Sequence, residues 1–148
     1  MLLKNWRGCV MVFDNLDSLF DQIEDDVQDV LEHEVADVVK EHMKLAVNSR
    51  VYDAYTPEYY KRRMSNGGLS DIDNMEAKVE GNTLTVRDDA PLDNGRTDYA
   101  LDEIIVNGYG NQPFPRDFYA ETTEWLINTG DHVGALKAGL KGMGYKVK

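Results

Sequence analysis

Residues 14–48 read DNLDSLFDQIEDDVQDVLEHEVADVVKEHMKLAVN, and this stretch decides the fold class. Leu16, Leu19, Phe20, Ile23, Val27, Val30, Leu31, Val35, Val38, Val39, Met43 and Ala46 recur at three- and four-residue steps, the spacing of one apolar stripe on an α-helix. No Gly or Pro interrupts it, and Asp14 or Asn15 can cap its start. Asp14, Asp17, Asp21, Glu24, Asp25, Asp26, Asp29, Glu32, Glu34 and Asp37 are all acidic, and no Lys or Arg precedes Lys40. Acids at the start and Lys40, Lys44 and Arg50 towards the end suit the helix dipole. Such a helix runs roughly 50 Å at its usual rise. A compact chain of this size has a diameter just under ~40 Å. A straight helix would overhang, so either it bends or another chain covers part of its stripe.

The 148 residues are enough for one domain with its own core, and nothing in the chain reads as a repeat, a low-complexity run or a linker. The formal net charge of −11 makes the average surface repel phosphate backbones and anionic lipid. Cys9 is the sole cysteine, which excludes an internal disulfide framework and a multi-cysteine metal site. It sits in an apolar run, where a small buried residue is the expected role. In the opening MLLKNWRGCVMVF, Lys4, Asn5 and Arg7 break the apolar run too early for a signal peptide. A membrane span of ~20 apolar residues is absent, so the expectation is a soluble protein in the cytoplasm of the cell that makes it.

Beyond the long helix, residues 50–74 lose the helical period and read as a Tyr- and Arg-rich arm or loop punctuated by Pro57 and Gly67-Gly68. Met75, Ala77 and Val79, then Leu84 and Val86, alternate about Gly81-Asn82, predicting an antiparallel hairpin within residues 75–110. Residues 89–100 read as loop. Residues 101–108 (LDEIIVNG) fit either a helical turn or a short strand. C-terminal helices are expected over 115–143, the first starting near Pro115 and carrying Phe118, Trp125 and Leu126 to Gly130. The second turns Val133, Leu136, Leu140 and Met143 inward, and the tail GYKVK suits a short strand. The fold class is therefore α+β.

Few motifs in the chain carry chemistry. His33 and Asp37 share a helix face, but a zinc-protease helix needs a second His at position 37. A solvated polar face explains the pair more simply. Gly108-Tyr109-Gly110 opens like a dinucleotide loop, yet position 113 is Pro and no βαβ pattern surrounds it. Asp71-Ile72-Asp73-Asn74 and Asp88-Asp89 with Asp93-Asn94-Gly95 lack the spacing and terminal Glu of a calcium loop, and Asx-rich turns account for them. No nucleophile elbow or Walker loop is present. The expectation is a protein that is not an enzyme, with no cofactor and no metal.

One surface stands out. Tyr52, Tyr55, Tyr59 and Tyr60 crowd around Lys61, Arg62 and Arg63. Cations neutralise phosphate and tyrosines stack on bases, so nucleic acid is one reading. The acidity of the rest of the chain opposes it. Tyr and Arg are also what interface centres are enriched in, and a protein partner is the better expectation. The acidic helix face of a neighbouring copy is a complementary surface.

The run VYDAYTPEYYKRRMSNGGLSDIDN, the Gly-Asn hairpin and then LDEIIVNGYGNQPFPRDFYAETTEWL resemble small virion proteins of long-tailed phages. These are head–tail joining, neck, tail-completion or minor structural proteins. The V-Y-x-x-Y-x-P segment with trailing Arg-Arg, the Asn-Gly-Gly-Leu turn and the Pro-Phe before a closing helix carry the likeness, across roughly residues 50–126. The resemblance implies a long helix packed on a small antiparallel sheet with a terminal helix. It also implies assembly as a homo-oligomeric ring on the particle axis, with no catalysis. The expected partners are copies of itself and other phage connector or tail proteins, with no membrane and at most non-specific proximity to passing DNA. The expected place is the virion neck or tail, after assembly in the host cytoplasm.

Two other classes remain open on sequence grounds. An acidic DNA-mimicking inhibitor would explain the charge, although a mimic gains nothing from a basic arm. A small hydrolase would need a site assembled from distant residues.

Overall fold

Asn15 starts the long helical stretch, its side chain accepting the Ser18 N–H at 2.9 Å. In this computed structural model residues 2–6, 9–92, 100–109 and 114–148 are described, with side chains from Val12 onward. Helix α1 covers Leu16–Val30 and α2 covers Ala36–Val47. Between them lies a π-helical turn, Leu31–Val35, and a second one, Asn48–Tyr52, follows α2. The expected single 14–48 helix is thus longer, and it changes winding twice. The first π turn falls at Glu32-His33, where the Ala36 N–H reaches back five residues to the Leu31 carbonyl. It brings Val30 and Val35, both buried, towards one face although they are five residues apart.

The opening residues form a ribbon that the alternation pattern did not reveal. Strand β1 (Leu2–Trp6) pairs antiparallel with β2 (Cys9–Phe13), in a register that sets Leu2 opposite Phe13 and Trp6 opposite Cys9. The expected burial of the Cys9 side chain lies outside the described residues. Strands β3 (Met75–Glu80) and β4 (Thr83–Asp88) form the second two-stranded sheet, around a turn in which Gly81 takes φ +57°. Every second residue faces inward, from Met75 to Val79 and from Leu84 to Asp88.

Residues 101–108 resolve as helix α3 (Leu101–Asn107), ended by Gly108 at φ +75°. The hairpin is therefore confined to 75–88 rather than extending towards 110. Helix α4 (Phe118–Thr129) begins three residues later than Pro115, because Asp117 accepts the Ala120 N–H at 2.9 Å and caps it. Helix α5 spans Asp131–Gly142, and within it Val133 is exposed rather than inward. The tail carries no strand; its Tyr145 is used as a hydrogen-bond donor instead. The α+β class with a long N-terminal helical stretch stands.

The chain gathers into two compact units. The first comprises Met1–Val38, Lys78–Thr85 and Gly130–Lys148. Here α5 packs on α1 and on the first π turn. The approach is close enough that a Cβ at Gly139 would stand 2.4 Å from Val30 Cγ1. Tyr145 donates to the buried Asp26 carboxylate at 2.5 Å, and Gln22 Nε2 donates to its other oxygen at 2.9 Å. The second unit comprises Val39–Ala77 and Val86–Thr129. Its core joins Met43, Val47, Val51, Leu69, Met75, Ile105 and Phe118. Among the described residues no helix is long and apolar enough to cross a membrane.

Candidate functional site

The second unit holds a cavity of about 500 Å³, and the Tyr/Arg arm builds most of it. Val51 and Tyr52 enter from the second π turn, whose last residues are held by the Asp53 N–H bonding the Asn48 carbonyl at 2.9 Å. The chain then leaves the helix, and Arg62 fastens it back. Its guanidinium donates to the Tyr52 carbonyl at 2.6 Å and also to the Tyr55 carbonyl. It lies 4.5 Å from the centre of the Tyr55 ring and 5.2 Å from that of Tyr52. Arg62 is therefore a structural clamp as well as a charge. Arg63 donates to the Pro91 carbonyl, and the Tyr55 and Tyr60 hydroxyls bond one another.

The Asn-Gly-Gly-Leu turn closes the arm. Gly67 sits at φ +82° and gives its N–H to Asp71 Oδ2 at 2.6 Å. A Cβ on Gly68 would meet the Met64 carbonyl oxygen at 2.6 Å, so only glycine fits beneath Tyr52. Arg116 reaches the cavity from a distant segment. The Arg116 N–H bonds the Ile105 carbonyl at 3.0 Å, and Gly108 leaves room for Phe114 and Pro115 to pass over the end of α3. The buried Arg116 guanidinium then lies 5.3 Å from the Tyr55 ring centre.

Six of the seven residues singled out from sequence (Tyr52, Tyr55, Tyr60, Lys61, Arg62 and Arg63) line this cavity. Tyr59 does not; it is 94% exposed. Sequence reasoning missed Arg116 and the apolar wall from Leu101, Ile104 and Ile105, which only the chain's return brings here. Among the described residues four lining side chains are cationic and none is acidic. Burial pushes the Tyr52 and Tyr60 hydroxyls above their ordinary pKa, so both stay neutral donors at physiological pH. The cavity is suited to an apolar or aromatic group that carries negative charge beside it.

A polar cluster lies elsewhere in the same unit. Tyr119 donates to Asp102 Oδ2 at 2.7 Å and accepts the Asp88 N–H at 3.0 Å. Arg87 Nε stands 3.4 Å from the same Asp102 oxygen, and its Nη2 donates to Glu103 at 3.2 Å. Asp88 is wholly buried, its Oδ1 accepting the Ala90 N–H at 2.9 Å. Burial pushes its carboxyl up to about 7, while Asp102, Asp89 and Asp71 add in the same direction. Both carboxylates are buried, and it is Asp102, held by Tyr119 and Arg87, that joins α3 to α4 and β4.

The His33 Nδ1 meets the Asp29 carbonyl at 2.9 Å, a bond that with the surrounding acids raises the His33 pKa. Among the described residues no group of three or more His, Cys, Asp or Glu side chains could hold a metal ion. The Asp93-Asn94-Gly95 fragment and Gly110 to Pro113 lie outside the described residues.

A protein-family model described as YomN matches residues 15–142, a span that takes in α1 through α5 and the whole of the cavity. No curated protein and no solved structure matches the chain.

Proposed function

Since this chain belongs to the phage-associated YomN family, we propose that it is a structural subunit of a tailed-phage particle at the head–tail junction. It forms a neck, connector or tail-completion ring and joins head to tail by protein–protein contacts, without catalysis. Its partners are copies of itself and neighbouring connector or tail proteins. It is made in the host cytoplasm and ends in the virion.

The observation that carries this reading is the cavity of the second unit. Tyrosine and arginine converge there around an apolar wall, the composition of an interface centre. Arg62 and Arg63 are tied to backbone carbonyls and the Tyr55 and Tyr60 hydroxyls to each other, which pre-orders this surface for a partner. The likeness of residues 50–126 to small virion proteins covers the same segment. The test is to delete the gene in the phage that encodes the chain and image the lysate. Filled heads and separate tails that do not join are expected. Normal particles in its absence would overturn the proposal.

A DNA-mimicking inhibitor is the second reading, favoured by the exposed acids along α1. It requires a one-to-one complex with a DNA-binding protein and leaves particle assembly unaffected by the deletion.

A further inference from the structure

The start of α1 breaks the rule that the rest of the helix obeys. Leu16 and Phe20 belong to the apolar stripe, yet they are 58% and 59% exposed. They stand four residues apart, so their side chains share one face of the first two turns. Asp17, Asp21 and Glu24, all exposed, flank Phe20 at positions i−3, i+1 and i+4. No Lys or Arg occurs anywhere in Leu16–Val30. This is an apolar plug with an aromatic tip, ringed by carboxylates.

The cavity of the second unit has the opposite character. Buried Val51, Leu69 and Ile105 provide a deep apolar wall, and Lys61 and Tyr60, both exposed, line it as well. Among the described residues, every charged side chain along its lining is positive. Its volume is several times what one side chain fills, and it falls in the range of sites that bury most of a bound group.

We infer that the first two turns of α1 in one copy dock into the Tyr/Arg cavity of a second copy, with Phe20 and Leu16 entering and Asp17, Asp21 and Glu24 facing Lys61 and the arginines. The inference rests on the self-assembly part of the proposed function and names its contact. Plug and cavity are different surfaces, so the contact is head-to-tail. Each copy that fills a cavity offers its own to the next, which yields a ring where the rotation closes. Phosphate would also be drawn to the cations, but it leaves the apolar wall uncovered.

The test uses the full chain and two substitutions at exposed positions, Phe20→Ala and Lys61→Glu. Sedimentation velocity over a wide concentration range measures self-association, with circular dichroism verifying that each variant folds. The wild type associates, and each variant alone associates at least tenfold more weakly. An equimolar mixture of the two restores a one-to-one pair at near wild-type affinity, because one intact plug and one intact cavity remain. Leu16→Ser is a second plug variant and behaves as Phe20→Ala does. Variants that associate like the wild type, or a mixture no better than either component, would overturn the inference. A wild type that stays monomeric throughout also overturns it. That result leaves the head–tail role to be decided by the deletion phenotype.

Discussion

Asp88 offers a direct measure of how far burial governs this fold. Its carboxyl is fully buried on β4, and its folded-state pKa of about 7 lies well above the ordinary 3.8. The folded chain therefore holds a proton on Asp88 through a pH range in which the unfolded chain has released it. Stability falls with rising pH wherever the folded state binds more protons. The loss begins near the unfolded value and levels off above about 7. A displacement of roughly three pKa units corresponds to about 4 kcal/mol in total, of which about 3 kcal/mol falls between pH 5 and pH 8. The charged groups around it are Asp102, Asp89 and Asp71, with Arg87 bound to the first two. Asp88→Asn reproduces the shape of the protonated acid, and its amide oxygen still accepts the Ala90 N–H. Urea unfolding of both proteins at pH 5, 6, 7 and 8 tests this. The wild type should lose stability steadily relative to the variant, which should be the more stable protein at pH 8. Parallel pH profiles for the two would show that Asp88 is ionised in the fold and that the reasoning is wrong.

Two further predictions concern the first unit. Gly139→Ala places a methyl 2.4 Å from Val30 Cγ1, and the clash should outweigh the gain in helix propensity, costing about 1–3 kcal/mol in thermal unfolding. Val30→Ala in the same chain should recover part of that loss, and a Gly139→Ala protein as stable as the wild type would contradict the packing. Tyr145→Phe removes the hydroxyl that bonds buried Asp26 and should cost about 1–3 kcal/mol in urea unfolding; no change would mean that Gln22 and solvent satisfy Asp26 without it.

Much of this architecture was legible in the sequence where a single period held. The apolar stripe of 14–48 located the long helix, and alternation about Gly81-Asn82 located β3 and β4. The β1–β2 ribbon was not legible, because Cys9–Phe13 is apolar without interruption and carries no alternation to read. The π turns escaped too, since a 3.6-residue period has no way to register a turn that holds an extra residue. At the cavity, the contiguous Tyr/Arg arm announced itself, whereas Arg116 arrives through the glycine-dependent crossing at Gly108 and leaves no local pattern. The Asp88 cluster did leave a signal. Asp88 follows Leu84 and Val86 on the inward phase of β4, a carboxylate where the alternation calls for an apolar side chain.

The turn at Leu31–Val35 also bears on how this chain tolerates changes in length. In a regular α-helix each residue advances the winding by about 100°, so losing one swings everything beyond it away from its packing partners. A π turn is an α-helix that has absorbed one residue as a local bulge, with the helix on either side still in step. Removing a residue from Leu31–Val35 would leave ordinary helix and keep Val30 under Gly139. The same loss within α1 would turn Val30 aside. Leu31–Val35 is thus the place in the first unit's helix where relatives differing by one residue in length can share a single packing arrangement.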